Sequence, residues 1–402
     1  MNSALQRPVP AKGWLVLMLG ALAAIGPLSI DMYLPAFPRI AAEFGVEPGR
    51  VQITLGVFLL GVALGQALYG PVTDRWGRRR PLLFGLALFT LASGGCALAD
   101  SVEHLAAWRL CMALGGSAGM VISRTVVRDL FDVTESAQVY SLLMLVMGVA
   151  PLLAPLAGGQ MLLFMGWRGI FWMVAIFGLL SSASVARWLP DTLPRAQRVR
   201  HGVIEALRVY GRLLADRRFL GLVAAVSCAS GVLFAYVSGS PGVFIGQYGV
   251  TPQHFGFFFG ANAGGITAAS QLNRWLLRRW AADRIVRTAY AVNLGAALLL
   301  LLAVVTGAGG FPALVGLLFV CVASLGVIFP NLAALVMAPF GSVAGSASAL
   351  MGTLQFAVGG AAGTLVGLLH NGTALPMVAV VTACSLTGWT ILRTTVRAAA
   401  PV

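Results

Sequence analysis

Long apolar runs alternate with short polar clusters along the whole chain. About 20 mainly apolar residues are needed to cross the hydrocarbon core of a bilayer as a helix. The runs are continuously apolar rather than alternating with a period of two, which favours helices over the strands of a membrane barrel. The pattern predicts an all-α polytopic membrane protein with twelve spans, at residues 14–36, 51–71, 80–99, 104–126, 136–163, 167–189, 219–245, 253–273, 284–307, 311–338, 343–369 and 375–393.

Composition supports this prediction and leaves no soluble domain of useful size. Hydrophobic residues make up 58% of the 402 residues and charged residues 10%. Soluble globular chains carry about 25% charged residues. The first run lacks a cleavage site of small residues, so we predict a retained first helix rather than a removed signal peptide.

The formal net charge of +14 is concentrated in particular loops. Such a charge could indicate a nucleic-acid partner, but the positive-inside rule explains the same distribution without one. The loops poor in arginine contain only Arg39, Arg50 and Arg168. We therefore expect no nucleic acid, a lipid-bilayer environment, and N and C termini that are both cytoplasmic. The basic groups that define the cytoplasmic side are Arg7 and Lys12, residues 75–80, Arg128, residues 187–218, residues 274–287, and Arg393 and Arg397.

The cysteines and histidines show no spacing typical of a metal or catalytic site. The five cysteines lie in apolar runs, their number is odd and no CxxC pair occurs, which argues against a disulfide framework or a zinc site. The four histidines are scattered, and no phosphate-binding loop occurs. We expect no metal, no cofactor and no enzymatic activity.

The longest polar stretch, residues 190–218, separates six predicted spans from six others. It contains a basic amphipathic segment at residues 203–208, which we predict to lie on the cytoplasmic surface. The chain thus divides into an N-terminal six-helix bundle (residues 1–189), this linker, and a C-terminal six-helix bundle (residues 219–402). A shift of 199 residues aligns Gly61 with Gly260, Gly65 with Gly264, Asp74 with Asn273, Arg75 with Arg274, and Arg79 and Arg80 with Arg278 and Arg279. Two such repeats imply a central cavity, because parallel halves rock about a site near the bilayer midplane in many transporters.

The loop after the second span, residues 70–80, resembles the cytoplasmic loop motif of the major facilitator superfamily. A glycine permits close helix approach, and an aspartate can pair with arginine or lie near a helix N-terminus, so these contacts can lock one conformation. A simple positive-inside cluster would explain the arginines but not the glycines and the aspartate. The residues assigned to this conformational motif are Gly70, Asp74, Arg75, Gly77, Arg78 and Arg79.

The fifth span contains residues 148–159, which resemble the antiporter motif of the drug:proton exporters in that superfamily. Small residues allow close packing against the other bundle, and prolines bend the backbone into a gate. An ordinary kinked membrane helix is the alternative, and Ala-Pro pairs stand where the family usually has Gly-Pro. The motif residues are Gly148, Pro151, Pro155, Gly158 and Gly159.

Asp31 lies near the outer end of the first span, and an ionisable residue within an apolar span is a functional candidate. The other acidic residues fall in loops or at helix ends, and none follows Asp283. Burial favours the protonated form of a carboxyl group and a nearby cation favours the carboxylate, so a conformational change can load and release a proton. We predict that Asp31 carries the proton. The alternative is an aspartate that only ends the helix ahead of Pro35.

Arg109 lies about one turn into the fourth span. Residues 109–119 resemble the motif in which the drug exporters place an arginine linked to proton and substrate coupling, although Met112 replaces the usual glutamine. We predict that Arg109 takes part in proton coupling with Asp31 if the two side chains approach each other. The alternative is a side chain that extends to the outer surface.

The seventh span contains residues 234–242, in which a proline predicts a helix break beside small polar groups. Polar residues in spans can line a substrate cavity, or they can bridge two helices through one hydrogen bond. The candidates for the substrate cavity are Tyr33, Tyr236, Ser238, Asn262, Asn331 and Gln355.

Five segments together resemble the Bcr/CflA group of the superfamily, at residues 29–35, 127–131, 150–155, 217–221 and 238–241. The best-known members export bicyclomycin and chloramphenicol-type compounds from bacteria in exchange for protons. The resemblance implies a proton-coupled efflux antiporter for drug-like small molecules, multi-pass in the bacterial inner membrane. We expect it to be a monomer. An uptake symporter of the same fold and a membrane-embedded enzyme are the alternatives.

Overall fold

A computed structural model describes residues 12–193, 198 and 202–397, and every regular element in these ranges is helical. A 3₁₀ turn connects the first two helices, a π-helical segment follows the ninth, and a second 3₁₀ segment precedes the thirteenth. The α-helices are α1 (Lys12–Asp31), α2 (Phe37–Phe44), α3 (Pro48–Trp76), α4 (Arg79–Ala97), α5 (Val102–Leu130), α6 (Val133–Phe164), α7 (Gly166–Trp188), α8 (Gly202–Ala215), α9 (Arg217–Pro241), α10 (Pro252–Leu276), α11 (Ala282–Thr306), α12 (Gly310–Met337), α13 (Ala344–Leu368) and α14 (Leu375–Arg397).

Short polar side chains fix where several of these helices begin. The Ser101 hydroxyl accepts a hydrogen bond from the backbone N–H of His104 at the start of α5. The carboxylates of Asp132 and Asp216 accept bonds from backbone N–H groups in the first turns of α6 and α9. Such N-caps satisfy backbone donors that the first helical turn leaves unpaired. The caps therefore place the loops between helices where the sequence changes from apolar to polar.

The helices confirm the predicted all-α membrane architecture. Eleven helices of the described ranges are long and apolar enough to span a bilayer. The remaining predicted span corresponds to α10, which has 25 residues but is more polar. Two of its polar residues, Asn262 and Asn273, are buried inside the protein, so they need not face lipid.

The break predicted in the seventh span takes a milder form than expected. Helix α9 ends at Pro241, and the chain continues directly as a π-helix over Gly242–Gln247. A π-helical turn shifts the hydrogen-bond pattern without exposing a stretch of unpaired backbone.

The linker contains one amphipathic helix, α8. Its Tyr210 and Leu213 side chains are buried, while Leu207 and Leu214 are exposed. The predicted surface segment at residues 203–208 lies in this helix, but the side chains up to residue 206 lie outside the described part, as do residues 1–11, Arg195 and Arg200. The boundaries of the two bundles remain predictions.

The two halves of the chain pack tightly against each other at one end of the helices. We call the end that carries the loops after α3, α5, α7 and α10 the basic end, and the other the opposite end. At the opposite end Gly49 of α3 lies so close to α13 that a Cβ atom on it would be 2.7 Å from the Cβ atom of His370. The contact continues towards the basic end, because a Cβ atom on Gly352 of α13 would collide with the Gln66 side chain of α3.

Candidate functional site

Asp31 is the last residue of α1 and lies at the interface between the halves. Helix α1 ends there because the following residues lead into Pro35, which cannot donate a backbone hydrogen bond. Only 5% of Asp31 is exposed, and it is the one buried acidic residue among the side chains that the structure describes. The Tyr236 hydroxyl of α9, which belongs to the other half, lies within electrostatic range of the Asp31 carboxyl group.

Arg109 is completely buried on α5, inside the N-terminal half. Its Nη1 atom donates a hydrogen bond of 2.8 Å to the backbone carbonyl of Ser29. Its guanidinium carbon lies 4.1 Å from the centre of the Phe58 ring and 4.7 Å from that of Tyr33. Aromatic rings stabilise a cation that has lost its water, by about 2 kcal/mol or more in buried sites. The rings and one carbonyl therefore stabilise the buried guanidinium in place of a carboxylate.

Asp31 and Arg109 do not pair in this conformation. Neither forms an ion pair among the described residues, although Arg109 contacts the backbone only two residues before Asp31. The Nε and Nη2 atoms of Arg109 are buried without a hydrogen-bond partner. Buried N–H groups are nearly always paired, so two unpaired donors on one guanidinium make Arg109 a candidate functional residue. The predicted coupling of the two residues stays a prediction.

Tyr33 belongs to the surroundings of Arg109. Its hydroxyl lies 2.7 Å from the Thr54 hydroxyl, and its ring packs 4.7 Å from the Phe37 ring and 5.2 Å from the Phe171 ring. The side chain is 1% exposed. Tyr33 thus helps to hold the arginine rather than facing an open cavity.

Tyr236 and Asn262 form a buried polar pair on the other side of Asp31. The Asn262 amide donates 2.9 Å to the Tyr236 hydroxyl, and the Tyr236 ring stacks on Phe259 with ring centres 5.6 Å apart. The Asn262 Oδ1 atom is buried and has no hydrogen-bond partner. Among the substrate candidates, this pair alone combines an unpaired polar atom with proximity to Asp31.

The other three substrate candidates bridge helices, which is the alternative that the sequence left open. Ser238 donates 3.2 Å to the backbone carbonyl of Gly363, and Asn331 donates 2.7 Å to the Asn273 side chain. Gln355 accepts a bond of 3.5 Å from Ser230. The three side chains are therefore used in hydrogen bonds between helices, and none of these bonds is to Tyr236.

Arg78 is the centre of the conformational motif at the basic end. Its Nη1 atom lies 2.7 Å from an Asp74 oxygen and 2.9 Å from the Thr73 hydroxyl, and its Nε atom lies 3.0 Å from an Asp129 oxygen at the end of α5. Arg78 is buried, whereas Arg75 and Arg80 of the same loop are exposed. The network therefore ties the α3–α4 loop to α5 within the N-terminal half.

Gly77 and Asp191 complete this network. Gly77 has a φ of +84°, which residues with a Cβ rarely adopt, and a Cβ atom there would collide with the Asp191 carboxylate. Asp191 accepts 2.9 Å from the Arg78 backbone N–H and 2.7 Å from Arg198. Arg79 donates 2.6 Å to the Ala186 carbonyl at the end of α7. Gly70 has no atom within 4 Å of a Cβ position, so close approach does not explain this glycine.

Removing the buried arginine should destabilise the protein. Deleting one partner of a buried ion pair costs about 3–5 kcal/mol, and we expect about 3 kcal/mol for Arg78→Gln because Asp74 is half exposed and keeps its water. The exposed Arg80→Gln variant removes the same charge from the same loop. We expect a lower melting temperature in detergent for the first variant only, and equal melting temperatures would contradict the structural role of the network.

Helix α6 closes the opposite end through the glycines of the antiporter motif. A Cβ atom on Gly159 would lie 2.5 Å from the Pro252 carbonyl oxygen of α10, and Gln253 donates 3.2 Å to the Gly159 carbonyl. Gly158 packs against the Met32 carbonyl, directly after Asp31. Pro151 and Pro155 lie inside α6, which runs through both without interruption. The closed end therefore adjoins the buried acid.

A single methyl group should disturb this closure. Gly159→Ala is expected to shift the protein towards states that are open at the opposite end, because the added atom cannot fit against Pro252. Gly148→Ala is the matched control, since its Cβ atom would meet only the Thr267 hydroxyl at 3.8 Å. Alanine favours a helix over glycine by about 0.5–1 kcal/mol, so neither change harms α6 itself.

Spin labels at Ala42 and Asn371, both exposed at the opposite end, measure this shift in a background without native cysteines. We expect a population with a longer label-to-label distance in Gly159→Ala but not in Gly148→Ala. Identical distance distributions would show that Gly159 does not control the closure.

Several residues of these clusters have no distinctive sequence signal. Phe58, Phe171 and Thr54 surround Arg109 and Tyr33 but look like ordinary residues of apolar spans. Asp129 could have been found, because it is an acid at the inner end of a span beside an arginine-rich loop. Asp191 follows a span directly and carries the same signal.

Two helical halves with a buried acid at their junction and a buried arginine inside the N-terminal half define a polytopic membrane transporter. The sequence profile described as Major Facilitator Superfamily matches residues 19–364. The chain belongs to this superfamily.

Relatives and a solved structure agree with this assignment. The chain is 37% identical over 385 residues to the uncharacterized MFS-type transporter YdgK of Bacillus subtilis, and the match covers 93% of each chain. It is 34% identical over 369 residues to the bicyclomycin resistance protein homolog of Haemophilus influenzae, with 92% of each chain covered. The fold matches a crystal structure of the peptide transporter POT in complex with sulfate, with a TM-score of 0.75 at 13% identity over 99% of this chain and 96% of that chain.

These comparisons confirm the predicted superfamily fold and the resemblance to the bicyclomycin and chloramphenicol resistance group. They also confirm a multi-pass protein of the bacterial inner membrane.

Proposed function

We propose that the protein exports drug-like small molecules from the bacterial cytoplasm in exchange for protons. The observation that carries this proposal is Asp31, a buried acid at the junction of the two halves that has no cationic partner among the described residues. An unpaired carboxylate is costly away from water, and the neutral acid removes this cost. If the carboxyl group is neutral in one conformation and ionised in the other, binding or release of its proton is linked to the conformational change.

In this scheme the proton and the drug bind alternately in one cavity. A ligand shifts an equilibrium between two conformations only by its differential affinity for them, so the proton and the drug must prefer different states. The unpaired Asn262 Oδ1 atom and the Tyr236 hydroxyl offer polar contacts to a drug beside Asp31. The two free donors of Arg109 offer a site that the Asp31 carboxylate can approach when α1 shifts.

Export rather than uptake is supported by two features. The glycines of α6 that close the opposite end match the antiporter motif, and the relative from Haemophilus influenzae is named for antibiotic resistance. The fold alone does not fix the direction, because proton coupling and alternating access serve symporters equally. With the basic end cytoplasmic, as the positive-inside rule predicts, the described conformation is closed to the outside.

The proposal requires the proton gradient as the energy source and no cofactor. It treats a monomer as the working unit, because both halves of the cavity come from one chain. The superfamily assignment supports transport without an enzymatic reaction.

A growth-inhibition panel tests the substrate class and the direction together. We expect expression in an efflux-deficient bacterium to raise resistance to some compounds of a panel that includes bicyclomycin and chloramphenicol, and Asp31→Asn to remove that resistance. Increased sensitivity to a compound would indicate uptake instead. Unchanged sensitivity to the whole panel at normal membrane expression would contradict drug export.

A further inference from the structure

A small pocket lies at the basic end of α10, away from Asp31. Its volume is about 270 Å³, and it is lined by Gln271, Arg274, Trp275 and Arg278. Pockets for drug-sized ligands have volumes of about 300–1,000 Å³, so this pocket suits a smaller group. Two arginine side chains among four lining residues indicate an anion.

The positive charge of this pocket is not neutralised by the protein. Arg274 donates 3.0 Å to the Gln271 amide oxygen, and the Arg278 guanidinium has no hydrogen bond or ion pair among the described residues. Residues 219–402 contain seven arginines and one acid, Asp283, whose carboxylate lies 2.6 Å from Arg287. The corresponding loop of the N-terminal half differs, because Arg78 is held there by two carboxylates.

The pocket lies nearer to the basic end than the contact between α6 and α10. A Cβ atom on Gly260 of α10 would touch Leu152 of α6, and the Cβ position of Gly148 on α6 lies 3.8 Å from Thr267 of α10. Residues three and four apart share one face of a helix, and this spacing continues from Thr267 to Gln271 and Arg274, while Arg278 lies in the turn that follows α10. Gln271 and Arg274 therefore lie on the same face of α10 as its contact with α6, but nearer to the basic end.

Apolar and aromatic side chains flank the arginines on the membrane side. Leu272 is 52% exposed and Trp275 is 44% exposed. The Trp275 and Trp280 rings pack edge to face with centres 6.5 Å apart, and Arg279 lies 4.5 Å from the Trp275 ring centre. Tryptophan is enriched at the level of lipid headgroups, so this arrangement marks the membrane–water interface.

We propose that the pocket binds the phosphate group of an anionic phospholipid whose acyl chains lie along the exposed apolar surface beside it. Arginine is suited to phosphate because its planar guanidinium can donate two parallel hydrogen bonds. Basic pockets between membrane helices on the cytoplasmic side bind anionic headgroups in this way. A free phosphate ion would use the arginines but would gain nothing from Leu272 and Trp275.

Native mass spectrometry of the full chain in detergent tests the proposal with phosphatidylglycerol as the probe and phosphatidylcholine as the neutral reference. We expect the R274Q/R278Q variant to bind phosphatidylglycerol about 30-fold more weakly than the parent, from the attraction of each arginine to an anionic lipid. The R217Q/R218Q variant removes two exposed arginines elsewhere at the basic end and should bind like the parent. The R274K/R278K variant keeps the charges and should retain most of the binding, which separates the charge from a packing effect.

Three results would overturn the proposal. Both glutamine variants could bind equally, the parent could bind phosphatidylcholine as tightly as phosphatidylglycerol, or inorganic phosphate could displace the lipid at equal concentration. Melting temperatures of the variants show whether they are folded. No transport is measured, so the result is independent of the proposed export activity.

Discussion

Replacing Asp31 with asparagine is expected to reduce drug-driven proton movement to the level of vesicles without protein. The side chain keeps its size but can no longer bind or release a proton, and no other buried acid is present among the described residues. Because the Asp31 side chain forms no ion pair or hydrogen bond with the described residues, the change removes no such contact, so the variant should fold and still bind drug.

The matched control for this prediction is Asp100→Asn. Asp100 is an exposed acid at the opposite end that lies 2.5 Å from the His104 ring. Its substitution removes the same charge without affecting the junction of the halves, and transport should be unchanged. If Asp31→Asn still exchanged drug for protons, Asp31 could not be the carrier.

Replacing Arg109 with methionine is expected to slow drug–proton exchange by about 10-fold to 150-fold. The change removes the charged hydrogen bond to the Ser29 carbonyl, and such a bond contributes about 1.5–3 kcal/mol. Methionine retains the apolar contacts with Phe58 and Tyr33, so the loss reports on the charge more than on packing. Arg109→Lys should recover part of the rate, because an ammonium group can keep the carbonyl bond and the ring contacts but not the planar fork.

Arg39→Met provides the control for Arg109. Arg39 also donates to a backbone carbonyl, 2.9 Å to Leu162, but it is exposed and lies away from Asp31. The readout that separates coupling from structure is the pH dependence of the exchange rate, which should change in Arg109→Met and remain as in the parent in Arg39→Met. If the parent, Arg109→Met and Arg39→Met had the same pH dependence of the exchange rate, Arg109 would not take part in proton coupling.

The fold could be predicted because each helix that crosses a membrane needs a long apolar run, which is easy to recognise in the sequence. Each predicted span corresponds to one long helix, as the span at residues 51–71 does to α3. Helix α3 extends further than predicted, from Pro48 to Trp76, because its polar ends project beyond the apolar run, whereas α1 ends at Asp31 inside the predicted span at residues 14–36. Hydropathy cannot predict where these helices end, because the ends depend on capping residues and on contacts outside the membrane.

The candidate site was only partly predictable from the sequence. A lone acid in an apolar span is visible as a charge where none is expected, and the structure places Asp31 in a buried position. The partners of Arg109 are a backbone carbonyl and aromatic rings, which carry no signal because every span contains them. Polar residues such as Asn331 were ambiguous, since only the packing decides whether an amide faces a cavity or, as here, a neighbouring helix.

Luminal pH during drug release tests the central claim most directly. Vesicles that contain the protein are loaded with a neutral substrate identified in the growth panel and diluted into drug-free buffer, with the membrane potential clamped and a pH-sensitive dye inside. Exchange predicts that the lumen acidifies as the drug leaves, because each departing molecule draws protons inward, and that Asp31→Asn abolishes the change. A lumen that becomes alkaline, or an acidification that persists in Asp31→Asn, would contradict proton-driven export through Asp31.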